Sequence, residues 1–502
     1  MARFTRRYFF YGSLLAGAIP KGGFGSTTSL KAAGYKSPNE KLNIASIGAG
    51  GKAEGDIRGC APTENIVALC DVDDKKAAKI YADFPKAPKY KDFRKMLDKE
   101  GNGIDAVIVA IPDFMHATAA LWAMERGKHV FVQKPLTRTI AETRMLSDAA
   151  VKYKVATQMG NQGYSCEGTR QCAEMIWNGE IGNVTEVQAW TDRPIWPQGL
   201  TEIPTPDPVP DTLDWDLWTG IAAARPFTLG GKGYPTSYGN FYQPFNWRGF
   251  YDFGCGALGD MACHILGAPN LALKLTERMP TSVECIEKEG TSSFMFPKSS
   301  LIRFDFPALG DMPAVKLFWH DGCKETPKIP GVPEGELIGD LPGYVRRGGQ
   351  GQVKPAAPPS QIIGRVFDYE TYKTHAAEGD VQRVTPDGSL FIGDKGMLTT
   401  GTYGEETRLV PMDKMKDYKF PAELLTRSPG HYRDWIRACK GGDPACSNFS
   451  IAAPLTEWIL LGVIALRVEG KVEYDSAKMR VTNNADANKY IRPAVRKGWS
   501  MT

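Results

Sequence analysis

From Lys41 to about residue 160 the chain repeats one unit: a short, almost continuous run of Val, Ile, Leu and Ala, then an amphipathic stretch of helical length. The runs are Leu42–Ile47, Ile66–Cys70, Ile104–Ile111, His129–Val132 and Val155–Met159. Between them lie helical stretches near Asp74–Phe84, Phe93–Lys99, Met115–Gly127 and Ile140–Tyr153. A strand without a polar face has to be covered on both sides, and helices supplied after each strand do that. The alternation therefore predicts a doubly wound α/β domain with a parallel sheet over residues 36–160.

Beyond that point the rhythm changes. A helix over Glu167–Trp177 and a strand over Asn183–Trp190 lead into Arg193–Phe250, rich in Pro and Trp, expected to be long ligand-facing loops. Apolar runs at Leu301–Phe306, Ala314–Trp319, Ser389–Gly393 and Gly396–Thr400 predict a second, mostly antiparallel sheet in an α/β domain over residues 161–502. The Gly- and Pro-rich stretch 322–359 reads as a surface insertion. Two domains suit a chain of 502 residues with 42% apolar and 24% charged residues.

Five of the positive charges behind the net +4 (Arg3, Arg6, Arg7, Lys21 and Lys31) precede residue 34, where no acid occurs, so the rest is formally −1. Such a body has no basic face for nucleic acid. Residues 1–35 read as an address: an arginine-bearing start, a modest apolar stretch from Tyr8 to Ile19, then small residues. Thr5-Arg6-Arg7-Tyr8-Phe9-Phe10 resembles a twin-arginine export signal, which predicts passage through that machinery as a folded protein and a periplasmic or secreted destination. A disordered basic tail or a buried first helix is the alternative. No other apolar run approaches the ~18 residues of a membrane span, so stable membrane insertion is not expected. The ten cysteines include no Cys-x-x-Cys pair and no zinc spacing; Cys70, Cys255 and Cys263 read as small buried hydrophobes. A Cys439–Cys446 disulfide stays open.

The first strand runs into Gly48-Ala49-Gly50-Gly51-Lys52-Ala53, a Gly-x-Gly-x-x-Ala turn. Gly48 permits a tight bend, Gly50 lets backbone approach a pyrophosphate, and the amides at the following helix start, with Gly51 and Lys52, meet the phosphates. The next strand ends in Asp71, at the distance expected of an acid on ribose hydroxyls, and no arginine adjoins it to receive a 2′-phosphate. NAD is thus favoured over NADP. Asp71 or Asp73 could equally cap the next helix. Three further segments fall at strand ends: Ile111-Pro112-Asp113-Phe114-Met115-His116, Val132-Gln133-Lys134-Pro135-Leu136 and Met159-Gly160-Asn161-Gln162. Pro112, Asp113, His116, Gln133, Lys134, Asn161 and Gln162 are accordingly expected at the cofactor. An ammonium straight after a buried strand needs a reason, because burying it unpaired is costly. Lys134 either points to solvent or sits over the nicotinamide and the substrate hydroxyl.

In Gly254–His264, Asp260 and His264 are four residues apart, one turn apart on one helix face. Together these motifs resemble the glucose-fructose oxidoreductase and inositol dehydrogenase family, Gfo/Idh/MocA. The resemblance runs from about Lys41 to Pro269 and less distinctly through Phe449–Val468. It implies a Rossmann domain joined to an open-sheet α/β domain, with the nicotinamide in the cleft between them. The family's lysine sits in Glu-Lys-Pro, here Gln133-Lys134-Pro135, so a carboxylate beside Lys134 is missing. The family's Asp-x-x-x-His pair corresponds to Asp260 and His264.

The expected catalytic set is Lys134, Asp260 and His264, with His264 taking a hydroxyl proton, Lys134 holding the oxygen and Asp260 orienting one of them. Tyr164, Trp247 and Arg248 are candidate substrate contacts. Of Trp190, Trp196, Trp215, Trp218 and Trp247, one or two are expected to floor the substrate site and the others to pack in core. The leading expectation is an NAD-dependent oxidoreductase of sugars, sugar derivatives or cyclitols with a tightly bound cofactor and no metal. It is expected to form a homo-oligomer through the outer face of the second sheet. Two competitors are carried: a glycosidase that oxidises its substrate transiently and recycles the cofactor, and a non-catalytic sugar-binding or sensing protein.

Overall fold

The computed structural model describes residues 39–501, apart from 232–233, 235–238, 291, 342, 345–366, 371–380 and 383–386. The proposed export segment and most of the later half of the 322–359 insertion lie outside the described residues.

Six parallel strands form the first sheet, in the order β3-β2-β1-β4-β5-β6: β1 Asn43–Ile47, β2 Asn65–Cys70, β3 Lys89–Tyr90, β4 Ala106–Val109, β5 His129–Val132 and β6 Thr157–Met159. Every residue of β4 and β5 is buried, which is why these segments lack a polar face. The two-residue β3 was not legible in the sequence; Leu69 and Cys70 of β2 recruit it in parallel register. The order reverses between β1 and β4, and a crevice opens there at the strands' carboxyl ends.

Helices α1 (Lys52–Cys60), α2 (Asp74–Asp83), α3 (Phe93–Glu100), α4 (His116–Glu125) and α5 (Ile140–Tyr153) follow the strands. The start of α5 is fixed by a capping box, with Thr139 N donating 2.7 Å to Glu142 Oε2. The expected helix at Met115 begins one residue later, behind a 3-10 turn over Asp113–Met115.

The second domain contributes α6 (Glu167–Trp177), β7 (Val184–Trp190), α7 (Trp215–Thr219), α8 (Gly256–Ile265) and α9 (Gly267–Ala272) before the main run of strands. These are β8 (Ser282–Glu289), β9 (Ser299–Phe306), β10 (Val315–Asp321), β13 (Gly388–Gly393), β14 (Met397–Thr400), β15 (Arg408–Val410), β16 (Val472–Asp475) and β17 (Arg480–Val481). The short pair β11 (Gly343–Tyr344) and β12 (Val381–Gln382) stands apart. The large sheet has nine strands in the order β15-β14-β13-β7-β10-β9-β8-β16-β17, antiparallel except between β7 and β10. In β9 burial alternates strictly along Ser299–Phe306, the signature of one covered face.

Two late helices tie the domains together. Helix α10 (His431–Cys439) packs on the Rossmann sheet: Tyr432, Trp435, Ile436 and Cys439 share one apolar cluster with Ile44, Ile57, Ile108 and Phe131. Trp435 meets Phe131 edge-on at 5.5 Å. The first domain thus takes one of its covering helices from far beyond residue 160. Helix α11 (Phe449–Ala465) is apolar almost all round because Trp458 packs against Phe304 and Phe306 of the second sheet, while Glu457 receives Arg144 of α5. Among the described residues no helix is long and apolar enough to cross a membrane.

Candidate active site

The glycine turn is made necessary by its neighbours. Gly48 has φ +96°, and a Cβ there would lie 2.2 Å from the carbonyl oxygen of Ala110; at Gly50 it would lie 2.6 Å from that of Lys76. The turn leads into α1 through Gly51, and no side chain caps that helix. Its first-turn amides therefore open on the crevice, as an anion site requires. Asp71 stands below: Oδ2 accepts from Ala49 N at 2.8 Å and Gly50 N at 3.1 Å, and Oδ1 from Asp73 N at 3.0 Å. Burial raises its pKa above the ordinary carboxylate value, against these three amides. Capping of α2 falls to Asp73, which accepts from Lys75 N and Lys76 N. Lys52 pairs with Asp56 one turn along α1.

A single cleft of about 590 Å³ runs from this turn to α8 and is lined by Gly48, Gly50, Gly51, Lys52, Asp71, Pro112, Asp113, Gln133, Lys134, Gln162, Trp247, Arg248, Asp260 and His264. At its far end Lys134 Nζ donates 2.8 Å to Asp260 Oδ1 and 2.8 Å to the Asp260 carbonyl. Arg248 Nε donates 2.9 Å to the same Oδ1, its guanidinium lying over the rings of Phe245 and Trp247. Burial alone would raise the Asp260 pKa, but the two cations hold it well below the usual carboxylate range. Gln133 turns away: its Nε2 donates 2.7 Å to Asp56 Oδ2, so the carboxylate facing Lys134 comes from the second domain rather than from position 133.

His264, one turn after Asp260, lines the cleft with Nδ1 buried and without a hydrogen-bond partner among the described residues. Burial drives its pKa far below 6.5, helped by the Lys134 charge, so the ring is neutral. Gln162 Oε1 is likewise buried without a partner at the same end. An uncapped helix start, a glycine-built cradle and two unpartnered polar atoms in one cleft suit a dinucleotide with a small polar substrate beyond it. Asp113 shares the pocket; burial pushes its pKa up to about 8, Arg248 and Lys134 opposing and Asp260 assisting.

Three expected contacts sit behind the cleft wall. Both ring nitrogens of His116 are spent on backbone carbonyls, Pro135 at 2.9 Å and Ile111 at 2.7 Å, and burial lowers its pKa to about 4. Asn161 bridges the Cys263 carbonyl and Ser447, and the Tyr164 hydroxyl is taken by Asn270. These side chains hold the walls. Of the tryptophans, Trp218 and Trp247 line the cleft; Trp215 stacks on Trp218 at 4.7 Å, while Trp190 and Trp196 are buried elsewhere. All ten cysteines are free, Cys439 and Cys446 included.

The sequence did not single out Arg193, Tyr403 or Trp499, which also line the cleft. Tyr403 meets the His264 ring edge-on at 4.8 Å. It follows β14 in a loop without a motif, and only the sheet order brings it to α8.

A family model described as an oxidoreductase family, NAD-binding Rossmann fold, matches residues 42–161, and one described as its C-terminal alpha/beta domain matches residues 178–293. An inositol 2-dehydrogenase of Pseudomonas fluorescens is 33% identical over 146 residues, which cover 28% of this chain and 43% of that protein. A glycosyl hydrolase family 109 protein of Solibacter usitatus is 31% identical over 177 residues, 32% of this chain and 39% of that protein. The match thus spans less than half the length of either relative. Among solved structures, an inositol dehydrogenase homolog from Azotobacter vinelandii complexed with NADH and myo-inositol superposes with a TM-score of 0.50 at 16% identity, over 87% of this chain and 98% of that one. At that identity the likeness concerns the fold.

Proposed function

We propose that the chain is an oxidoreductase of the Gfo/Idh/MocA kind, whose models match residues 42–161 and 178–293, and that it oxidises a secondary hydroxyl of a sugar, sugar derivative or cyclitol with NAD. The observation that carries the reading is the far end of the cleft, where Lys134, Asp260 and a neutral His264, its Nδ1 without a hydrogen-bond partner among the described residues, line one pocket. Bound NAD supplies the hydride acceptor. The neutral His264 ring offers a nitrogen lone pair for the hydroxyl proton, so as the C–H electron pair leaves the carbinol carbon and the O–H proton moves to the imidazole, a C=O remains. The Lys134 ammonium stabilises the oxygen as negative charge develops on it. Asp260, held ionised by Lys134 and Arg248, fixes the ammonium and stands one turn from the imidazolium that forms. Gly51 and the first-turn amides of α1 receive the pyrophosphate, Asp71 a ribose hydroxyl.

The arginine-bearing leader supports export in the folded state with the cofactor retained, and the outer face of the second sheet supports self-association. A second reading draws on Gln133 in place of Glu and on the likeness to a glycosyl hydrolase family 109 protein: the same groups would oxidise a glycoside transiently, eliminate the aglycone and return the hydride. The test is to identify the nucleotide retained by the purified protein by mass and to screen sugars, cyclitols and aryl glycosides. Net reduced nicotinamide with a free polyol supports the dehydrogenase, and aglycone release without it supports the glycosidase. A protein that binds sugars tightly with neither outcome would overturn both.

A further inference from the structure

The half of the cleft away from Lys134 and His264 is bounded by the ends of β2 and β3, through Asp71, Val72, Asp92 and Phe93. Two segments remote in sequence add Leu217, Trp218 and Trp499 to its wall. Residues 211–221 cross back from the second domain: Asp214 N donates 2.9 Å to the Val72 carbonyl, and Asp74 N donates 3.0 Å to that of Thr212. Residues 492–501 are laid over this segment. Arg496 N donates 2.9 Å to the Ile221 carbonyl, Arg496 Nη1 donates 2.6 Å to Asp216 Oδ1, and Thr118 Oγ1 of α4 lies 3.5 Å from Met501 Sδ. Trp499 is thereby held on the cleft, with the Arg94 guanidinium 4.3 Å and the Arg496 guanidinium 5.8 Å from its ring centroid.

In a dinucleotide laid across the crevice with its pyrophosphate at α1 and a ribose at Asp71, this half of the cleft receives the adenosine. We propose that Trp499 forms part of the adenine site, stacking on the base, and that the 492–501 strap thereby slows cofactor release. An indole suits this role because a purine offers it a matching π face. Its backbone anchors and the flanking guanidiniums fix the ring before the ligand arrives, so little ordering is lost on binding. The inference rests on the NAD reading above.

Release is measured by loading the protein with NADH, chasing with excess NAD⁺ and following nicotinamide fluorescence. W499A is expected to release NADH about 10-fold faster than the wild type, and W499F to stay near the wild-type rate. Reduced nicotinamide mononucleotide, which lacks the adenosine half, is expected to bind the wild type and W499A equally. Should W499A fail to fold, W499L carries the same expectation. NADH release from W499A or W499L at the wild-type rate, or an equal weakening of the mononucleotide, overturns the proposal and leaves the NAD reading intact. A wild type that binds neither NADH nor the mononucleotide overturns both.

Discussion

At the reactive end of the cleft one carboxylate oxygen, Asp260 Oδ1, receives both Lys134 and Arg248, while Nδ1 of His264, on the same helix face, has no hydrogen-bond partner among the described residues. That asymmetry divides the labour between charge stabilisation and proton transfer. His264→Ala should slow hydride transfer by about 10²-fold or more in a single turnover followed by nicotinamide absorbance, with nucleotide binding retained. Asp113 supplies a prediction with a pH sign. Its pKa rises from 3.8 to about 8 on burial, so the stability it confers is complete below about pH 4 and is lost as pH climbs through 8. Between pH 7 and 9 this one group should cost the wild type about 1.4 kcal/mol. Asp113→Asn should remove that loss, which denaturant titrations at the two pH values would detect. Lys134, Asp260 and His264 were legible because each breaks a local rule: an ammonium ends a buried strand, and an acid and a histidine share one face of an apolar helix. His116 reads like a cofactor contact from its place in a strand-end segment, yet two backbone carbonyls exhaust its ring, and sequence spacing carries no sign of that.

At the scale of elements, the parallel strands were readable because two-sided burial leaves them without polar positions, and α6 because its apolar spacing is regular. The register of β3 was not, since two residues carry no periodicity. Nor was the partner of α10. No helix is read there from the sequence, and only the fold reveals that its buried face lies on Phe131 of the nucleotide domain. Trp435 is fully buried there. Trp435→Ala should destabilise the protein by about 3–5 kcal/mol, measured by denaturant titration, and should loosen the Rossmann sheet although the residue lies outside that stretch of sequence.

For the whole molecule, the two halves are joined by contacts that cross between them: Lys134 to Asp260 at the cleft, and away from it Arg144 to Glu457 and Tyr432 to Asp56 at 2.8 Å. With α11 shared between them, neither domain owns a complete core. Calorimetry should therefore record one cooperative transition, its calorimetric and van't Hoff enthalpies agreeing; two resolved transitions would show the domains to be independent. The succession of a parallel sheet and a mostly antiparallel one was legible in the sequence. The interlocking was not, because the chain that crosses back carries no motif to mark it.

Helix α10 also sets an order of events during synthesis. The β6 strand is made roughly 270 residues before α10, a delay of roughly tens of seconds at ordinary elongation rates, and throughout it the part of the nascent nucleotide sheet around Phe131 lacks its cover. Until α10 emerges, Phe131 and the apolar residues around it lack the ring of Trp435, and a chain interrupted in that interval presents this patch to its neighbours.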